Sequence, residues 1–206
     1  MADVSGKGIP AAMVLGSLRA AFRALARQSS DPARIVAQLS AGLYEEWLGA
    51  LYVTCFVGRF DLTASTLTYT NAGHPPGILA GHGGIRHLSR GGPPAGLLPG
   101  AVFENELLQL HVGDTCLLVT DGVTEALEMD PPLEGDLEAS RERGGSAAEL
   151  CQAVMARALT GHGPRDVQGW DDDRTVVVVK VLARDAGDPA TRTVTEREFI
   201  TSGVLR

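Results

Sequence analysis

The sequence predicts an α+β domain in which helices cover antiparallel sheets, and the order of its patterns predicts it. Two amphipathic helical patterns come first; short segments rich in Val, Thr, Tyr and Phe follow, broken by Gly and Pro; a further helical pattern and a strand of four consecutive valines come last. At 206 residues with 44% apolar content, one domain with a sizeable core is expected over residues 1–183, with a polar, weakly ordered tail over 184–206.

Asp3-Val4-Ser5-Gly6-Lys7-Gly8 reads as a glycine loop, and Pro10 suits the first turn of the helix that follows. Between Ala11 and Arg27, Val14, Leu15, Leu18, Phe22 and Leu25 recur at three- and four-residue steps and predict one buried stripe. Asp31-Pro32 opens a second helix, with Asp31 as N-cap and Ile35, Val36, Leu39 and Leu43 on one face. Strands are predicted near residues 52–60 and 66–71 around a turn at 61–65, then at 77–80, 85–88, 103–110 and 115–120, as a meander. Asn71-Ala72-Gly73-His74-Pro75-Pro76 and Gly91-Gly92-Pro93-Pro94 are breakers. Residues 129–145 read as loop with an irregular helical turn, 147–159 as a helix carrying Leu150, Val154 and Leu159, and 174–182 as a strand buried on both faces.

The formal charge of −7 and pI near 5.2 exclude a general nucleic-acid or anionic-membrane surface, which needs clustered Lys and Arg. The three cysteines form no CxxC pair and no Cys/His cluster, so they read as buried thiols of a cytoplasmic protein rather than zinc ligands or disulfides. No run approaches the roughly 18 apolar residues of a membrane span, and no signal peptide is visible.

Three acidic positions share a context, the end of a strand or loop beside small residues: Asp3 before Val4-Ser5-Gly6, Asp121-Gly122 after Thr115–Thr120, and Asp172-Asp173 before the valine strand. Taken singly, each is more often a turn residue than a ligand. Together they offer the hard oxygen donors that Mg²⁺ and Mn²⁺ prefer.

Four ordered motifs carry the argument further: Asp3-Val4-Ser5-Gly6-Lys7-Gly8-Ile9-Pro10-Ala11-Ala12, Tyr69-Thr70-Asn71-Ala72-Gly73-His74-Pro75-Pro76, Thr120-Asp121-Gly122-Val123-Thr124-Glu125-Ala126 and Asp172-Asp173-Arg174-Thr175. From Asp3 to about Val181 the chain resembles the metal-dependent protein phosphatase (PPM) family, in its SpoIIE and sigma-regulator branch. The resemblance implies an αββα sandwich with two Mn²⁺ or Mg²⁺ ions at one end of its sheets. It implies hydrolysis of phosphoserine or phosphothreonine on a protein by a metal-activated water, the substrate being a regulator of the anti-sigma-factor-antagonist type. Asp3 would bridge both ions, the Val4 carbonyl would join the second, Asp121 and Asp172 would complete the first, and Asp173 would stand beside them. The family also carries an upstream Gly-Gly-Asp segment and first strands that this sequence does not contain, so the sandwich is expected to be incomplete at its N-terminus.

Other readings stand beside this one. Gly6-Lys7-Gly8 fails the GxxxxGK[ST] phosphate-loop pattern, leaving nucleotide binding as the weakest alternative, and Lys7 either faces substrate phosphate or is solvated. His74 is either a general acid toward the leaving group or a structural histidine at a strand-ending turn. Thr120, Thr124 and Glu125 read as braces for Asp121, and Trp170 as packing or a shield of the metal edge. His82, His87, His111 and His162 have no motif around them. With the first strands absent, a catalytically impaired module that binds a phosphoprotein or partner is the main alternative to an enzyme.

Overall fold

The computed structural model describes residues 1–6, 8–127, 132–160, 173–183 and, for backbone only, 196–202. It divides into two compact units, each a sheet with its own helices: Met1–His74 with Ser89–Gln109, and Pro75–Leu88 with Leu110–Arg206. The strands therefore sort into two five-stranded sheets rather than one meander.

In the first unit the sheet contains β1 (Ala2–Val4), β2 (Val53–Asp61), β3 (Thr66–Ala72), β6 (Gly91–Gly92) and β7 (Glu106–Gln109). Its order is β1-β2-β3-β6, with β7 also on β3. Asp3 thus lies in a strand, where the sequence predicted loop, because β1 pairs antiparallel with β2 through Ala2 to Cys55, Asp3 to Thr54 and Val4 to Val53. The breaker at Gly91-Gly92 is also a strand, pairing parallel with Asn71 and Ala72. It can do so because a Cβ on Gly91 would stand 1.8 Å from the Asn71 carbonyl oxygen, so only glycine permits that approach. The strand predicted over residues 103–110 shortens to β7, while Phe103 and Leu110 remain buried.

Two helices cover this sheet. α2 (Pro32–Trp47) buries Ile35, Val36, Leu39 and Leu43, as its spacing predicts, in one cluster with Val53, Cys55 and Ala72 of β2 and β3. α1 (Ile9–Gln28) buries only Val14 and Leu18 of the predicted stripe; Leu15 and Phe22 are 50% and 37% exposed. By length and mean hydropathy, 1.3 over its most apolar window, α1 is long and apolar enough to cross a membrane, which corrects the expectation that no segment would be. Its Val14 and Leu18 pack instead into the cluster of its own unit.

Asp31 caps α2 as predicted: its Oδ1 accepts the Arg34 N–H at 3.2 Å. Asn105 donates to the same oxygen at 2.6 Å and accepts the Ala33 N–H at 2.8 Å, which ties the helix start to the segment before β7. The Asn105 hydrogen bond, with the Arg34 and Ala33 N–H groups, holds the Asp31 carboxyl below the usual carboxylate range. The depressed value stabilises the fold above the unfolded carboxyl's pKa of about 3.9, and the contribution disappears as pH falls through the lower folded value. Asp31→Ala is therefore expected to cost about 0.5–2 kcal/mol near pH 7, the range of an N-cap loss. In urea titrations that gap between the two proteins should close under acid conditions.

The second unit's sheet runs β10-β9-β8-β4-β5, from β4 (Gly77–Gly81), β5 (Gly84–Leu88), β8 (Thr115–Val119), β9 (Arg174–Lys180) and β10 (Glu196–Ser202). The pleat explains its core. Ile78, Leu117 and Val178 face one another across three strands, with Val119 and Val176 opposite each other one step along, and all join one cluster. The valine strand is interior as predicted, one position from the edge, because β10 pairs along its whole length; residues 196–202 were expected in the tail. Residues 184–195 and 203–206 lie outside the described residues.

Three helices pack on this sheet: α3 (Asp121–Leu127), α4 (Leu133–Glu142) and α5 (Ala147–Thr160). α4 replaces the loop expected there. It buries Leu133 and Leu137, one helical turn apart, while Arg141 donates to the Gly81 carbonyl at 2.8 Å and Glu134 meets His87 at 3.1 Å. In α5, Leu150 and Val154 are buried as predicted, but Leu159 is 57% exposed and Cys151, Met155 and Ala158 form the packed face.

Candidate metal centre

Each unit contributes its own group of candidate residues. In the first, Asp3 and Val4 are the last residues of β1 before the chain leaves the sheet. Ser5 sets that exit: its N–H donates to the Tyr52 carbonyl and its Oγ accepts the Tyr52 N–H, both at 2.9 Å. Gly6 then takes φ +89°, a left-handed conformation that side chains disfavour. The short motif therefore fixes the backbone on which the Asp3 carboxylate and Val4 carbonyl are carried; both residues are partly exposed. Lys7 lies outside the described residues.

On the same sheet, Thr54 of β2 is the direct partner of Asp3, and its Oγ1 is 3.1 Å from His74 Nδ1. Asn71 clasps the His74 backbone, its amide donating to the His74 carbonyl at 2.9 Å and its Oδ1 accepting the His74 N–H at 2.8 Å. His74 is 4% exposed and Asn71 3%, so both of the readings of His74 begin from a buried, fixed ring.

In the second unit Asp121 is the first residue of α3, directly after β8. A carboxylate there suits the positive end of the helix. Its Oδ1 accepts the Gly122 N–H at 3.0 Å, and Thr124 Oγ1 donates to its carbonyl at 3.0 Å. Thr120 binds the neighbouring strand end: its Oγ1 donates to the Asp173 carbonyl at 3.0 Å and accepts the Thr175 N–H at 2.9 Å. Arg174 Nε adds a bond to the Gly122 carbonyl at 3.3 Å. Thr120 and Thr124 are thus the braces the sequence suggested, whereas Glu125 is exposed. The start of β9, two residues beyond Asp172, is fixed to the residue before Asp121. Asp172 itself, with Trp170 and His162, lies outside the described residues.

The chemistry of these donors fits a hard divalent cation. Asp3, Asp121 and the Val4 carbonyl offer oxygen alone. Among the described residues no three His, Cys, Asp or Glu side chains stand together as another metal-holding group. The thiols are unsuited to metal or nucleophilic work: all three are buried and none is in a disulfide, and burial pushes Cys55 up to about 11 and Cys116 to about 12. Thr54 is not legible from its neighbours in the sequence, because its place opposite Asp3 depends on the register of β1 on β2.

A helix-covered pair of antiparallel sheets, with aspartates at strand ends, is the architecture of the PP2C-type phosphatases. The chain belongs to the Stage II sporulation protein E (SpoIIE) family, whose pattern matches residues 1–182. It is 28% identical to the phosphoserine phosphatase RsbU of Bacillus subtilis over 185 residues, 87% of this chain and 54% of that protein. Its fold matches the RsbU and RsbW domains of Rv1364c from Mycobacterium tuberculosis with a TM-score of 0.69 and 25% identity, over 89% of this chain and 51% of that one. It also matches the catalytic domain of the serine/threonine phosphatase PstP, solved in complex with two manganese ions, with a TM-score of 0.65 and 17% identity over 88% of this chain and 86% of that one. The chain spans 32 to 54% of the length of the curated relatives it matches.

Proposed function

We propose that this chain is a Mn²⁺- or Mg²⁺-dependent phosphatase domain that removes phosphate from phosphoserine or phosphothreonine on a regulatory protein of the anti-sigma-factor-antagonist type. The observation that carries the reading is the bracing of Asp121: Thr120 ties it to the start of β9, next to Asp172, and Thr124 and Gly122 fix its own backbone and carboxylate. Asp3, the Val4 carbonyl, Asp121 and Asp172 would hold two ions. Bound there, such ions lower the pKa of water and neutralise charge on the phosphoryl oxygens. The residues of the chain supply the rest. Ser5 and Tyr52 fix the pitch of the Asp3 strand end, and Asp121 keeps one carboxylate oxygen on the Gly122 N–H. No side-chain nucleophile is needed, which agrees with three buried thiols. The same thiols, with no disulfide, support a cytoplasmic location.

The test is phosphate release from a phosphoserine-bearing regulator with Mn²⁺ and with a chelator in its place. Release that requires the metal is the expected result; release that is unchanged by the chelator, or absent from every phosphoserine substrate tried, overturns the reading.

A further inference from the structure

Asp3 has polar neighbours on its own sheet, a partly buried Thr54 and a buried His74. Asp3 and Thr54 are directly paired on β1 and β2, so their side chains leave the same face. Opposed residues of an antiparallel pair place their Cβ atoms about 4.5–5.5 Å apart, within reach of a hydroxyl and a carboxylate. Behind Thr54 stands His74, Nδ1 to Oγ1 at 3.1 Å.

The ring is held there by its surroundings. The side-chain amide of Asn71 occupies both backbone hydrogen-bonding groups of His74. The preceding Gly73 takes φ +68° and is bridged to Cys55 of β2; a Cβ on it would meet Pro94 at 2.6 Å. Residue 74 therefore cannot swing away from Thr54 without breaking this clasp.

Proton counting sets the direction of the bonds. A threonine hydroxyl has one proton to donate. A carboxylate accepts only, so in a bond between the two Thr54 would be the donor and Asp3 the acceptor. The Thr54 oxygen must then accept from His74, which requires the proton on Nδ1. We propose that His74 and Thr54 form a positioning relay, His74 Nδ1–H to Thr54 Oγ1 and Thr54 O–H to the Asp3 carboxylate, that fixes Asp3 in the orientation in which it receives a divalent cation. The relay rests on the metal-dependent reading given above. It makes His74 a positioning residue rather than a general acid.

The experiment is calorimetric titration of the full chain with Mn²⁺, paired with metal-free melting. Thr54→Val keeps the branched shape and removes the hydroxyl. It is expected to weaken Mn²⁺ binding about 10- to 100-fold, the usual effect of losing a group that orients a ligand, with the metal-free melting temperature unchanged. Thr54→Ser should restore most of the affinity. His74→Asn, whose side-chain N–H₂ replaces the Nδ1 donor, should bind more tightly than His74→Ala. Binding by Thr54→Val as tight as that of the unsubstituted chain overturns the relay and leaves the metal reading standing, as does equal loss in Thr54→Ser and Thr54→Val. An unsubstituted chain that takes up no Mn²⁺ overturns the metal reading, and the relay with it.

Discussion

Asp121→Asn is expected to lower metal-dependent phosphate release by about 100-fold or more, equivalent to about 2.7 kcal/mol in the barrier. The substitution is nearly isosteric. An asparagine oxygen still accepts the Gly122 N–H, and the Thr124 bond to the residue's carbonyl does not involve the side chain. Packing around Val123 and Ala126, both buried in the cluster of the second unit, is untouched. What is lost is one negative charge and one anionic oxygen, which a cation's ligand set feels and a turn residue does not. Phosphate release and metal-free melting measured together therefore separate the two readings of Asp121: a ligand loses activity at constant stability, and a turn residue loses neither.

The largest expected stability effect is at Leu137. Its side chain is fully buried in one cluster with Leu117, Val154 and Val178, so it joins α4 to the sheet and to α5. Leu137→Ala is expected to cost about 2–5 kcal/mol through lost transfer energy and the cavity left behind. Leu159→Ala, at a position 57% exposed, should stay within about 0.5 kcal/mol. Urea denaturation of the two variants tests both the burial pattern and the place of α4 in the core.

These two leucines also show where the sequence was legible. α2 is legible to its cap, because Asp31-Pro32 and the Ile35, Val36, Leu39, Leu43 spacing are dictated locally. The α4 segment reads as loop in sequence because only Leu133 and Leu137 interrupt a run of charged and small residues. Its stability comes from burial against β4 and from the Arg141 and Glu134 contacts, which no local pattern encodes. In α1 the spacing overstates the buried stripe, since periodicity shows which residues share a face but not whether anything covers it; Leu15 and Phe22 sit on largely exposed helix surface. Leu159 failed for the same reason, one step off the packed face defined by Leu150, Val154 and Ala158.

The candidate site was legible as composition more than as geometry. Asp3 and Asp121 were found from strand ends and neighbouring glycines, and Thr120 and Thr124 from their place around Asp121. Thr54 was invisible, because its relation to Asp3 arises from strands about fifty residues apart, as the register of Asp3 on Thr54 shows. Gly91 was legible as a breaker and not as a strand, since its contact with the Asn71 backbone is a tertiary event.

Asp3, Asp121 and Asp172 are each proposed as a ligand to bound Mn²⁺. Calorimetric titration with Mn²⁺ of the unsubstituted chain and of Asp3→Asn, Asp121→Asn and Asp172→Asn tests this directly. Two Mn²⁺ per unsubstituted chain are expected, with loss of at least one ion or a large fall in affinity in every variant. Unchanged stoichiometry and affinity in any one of the three would contradict the proposal.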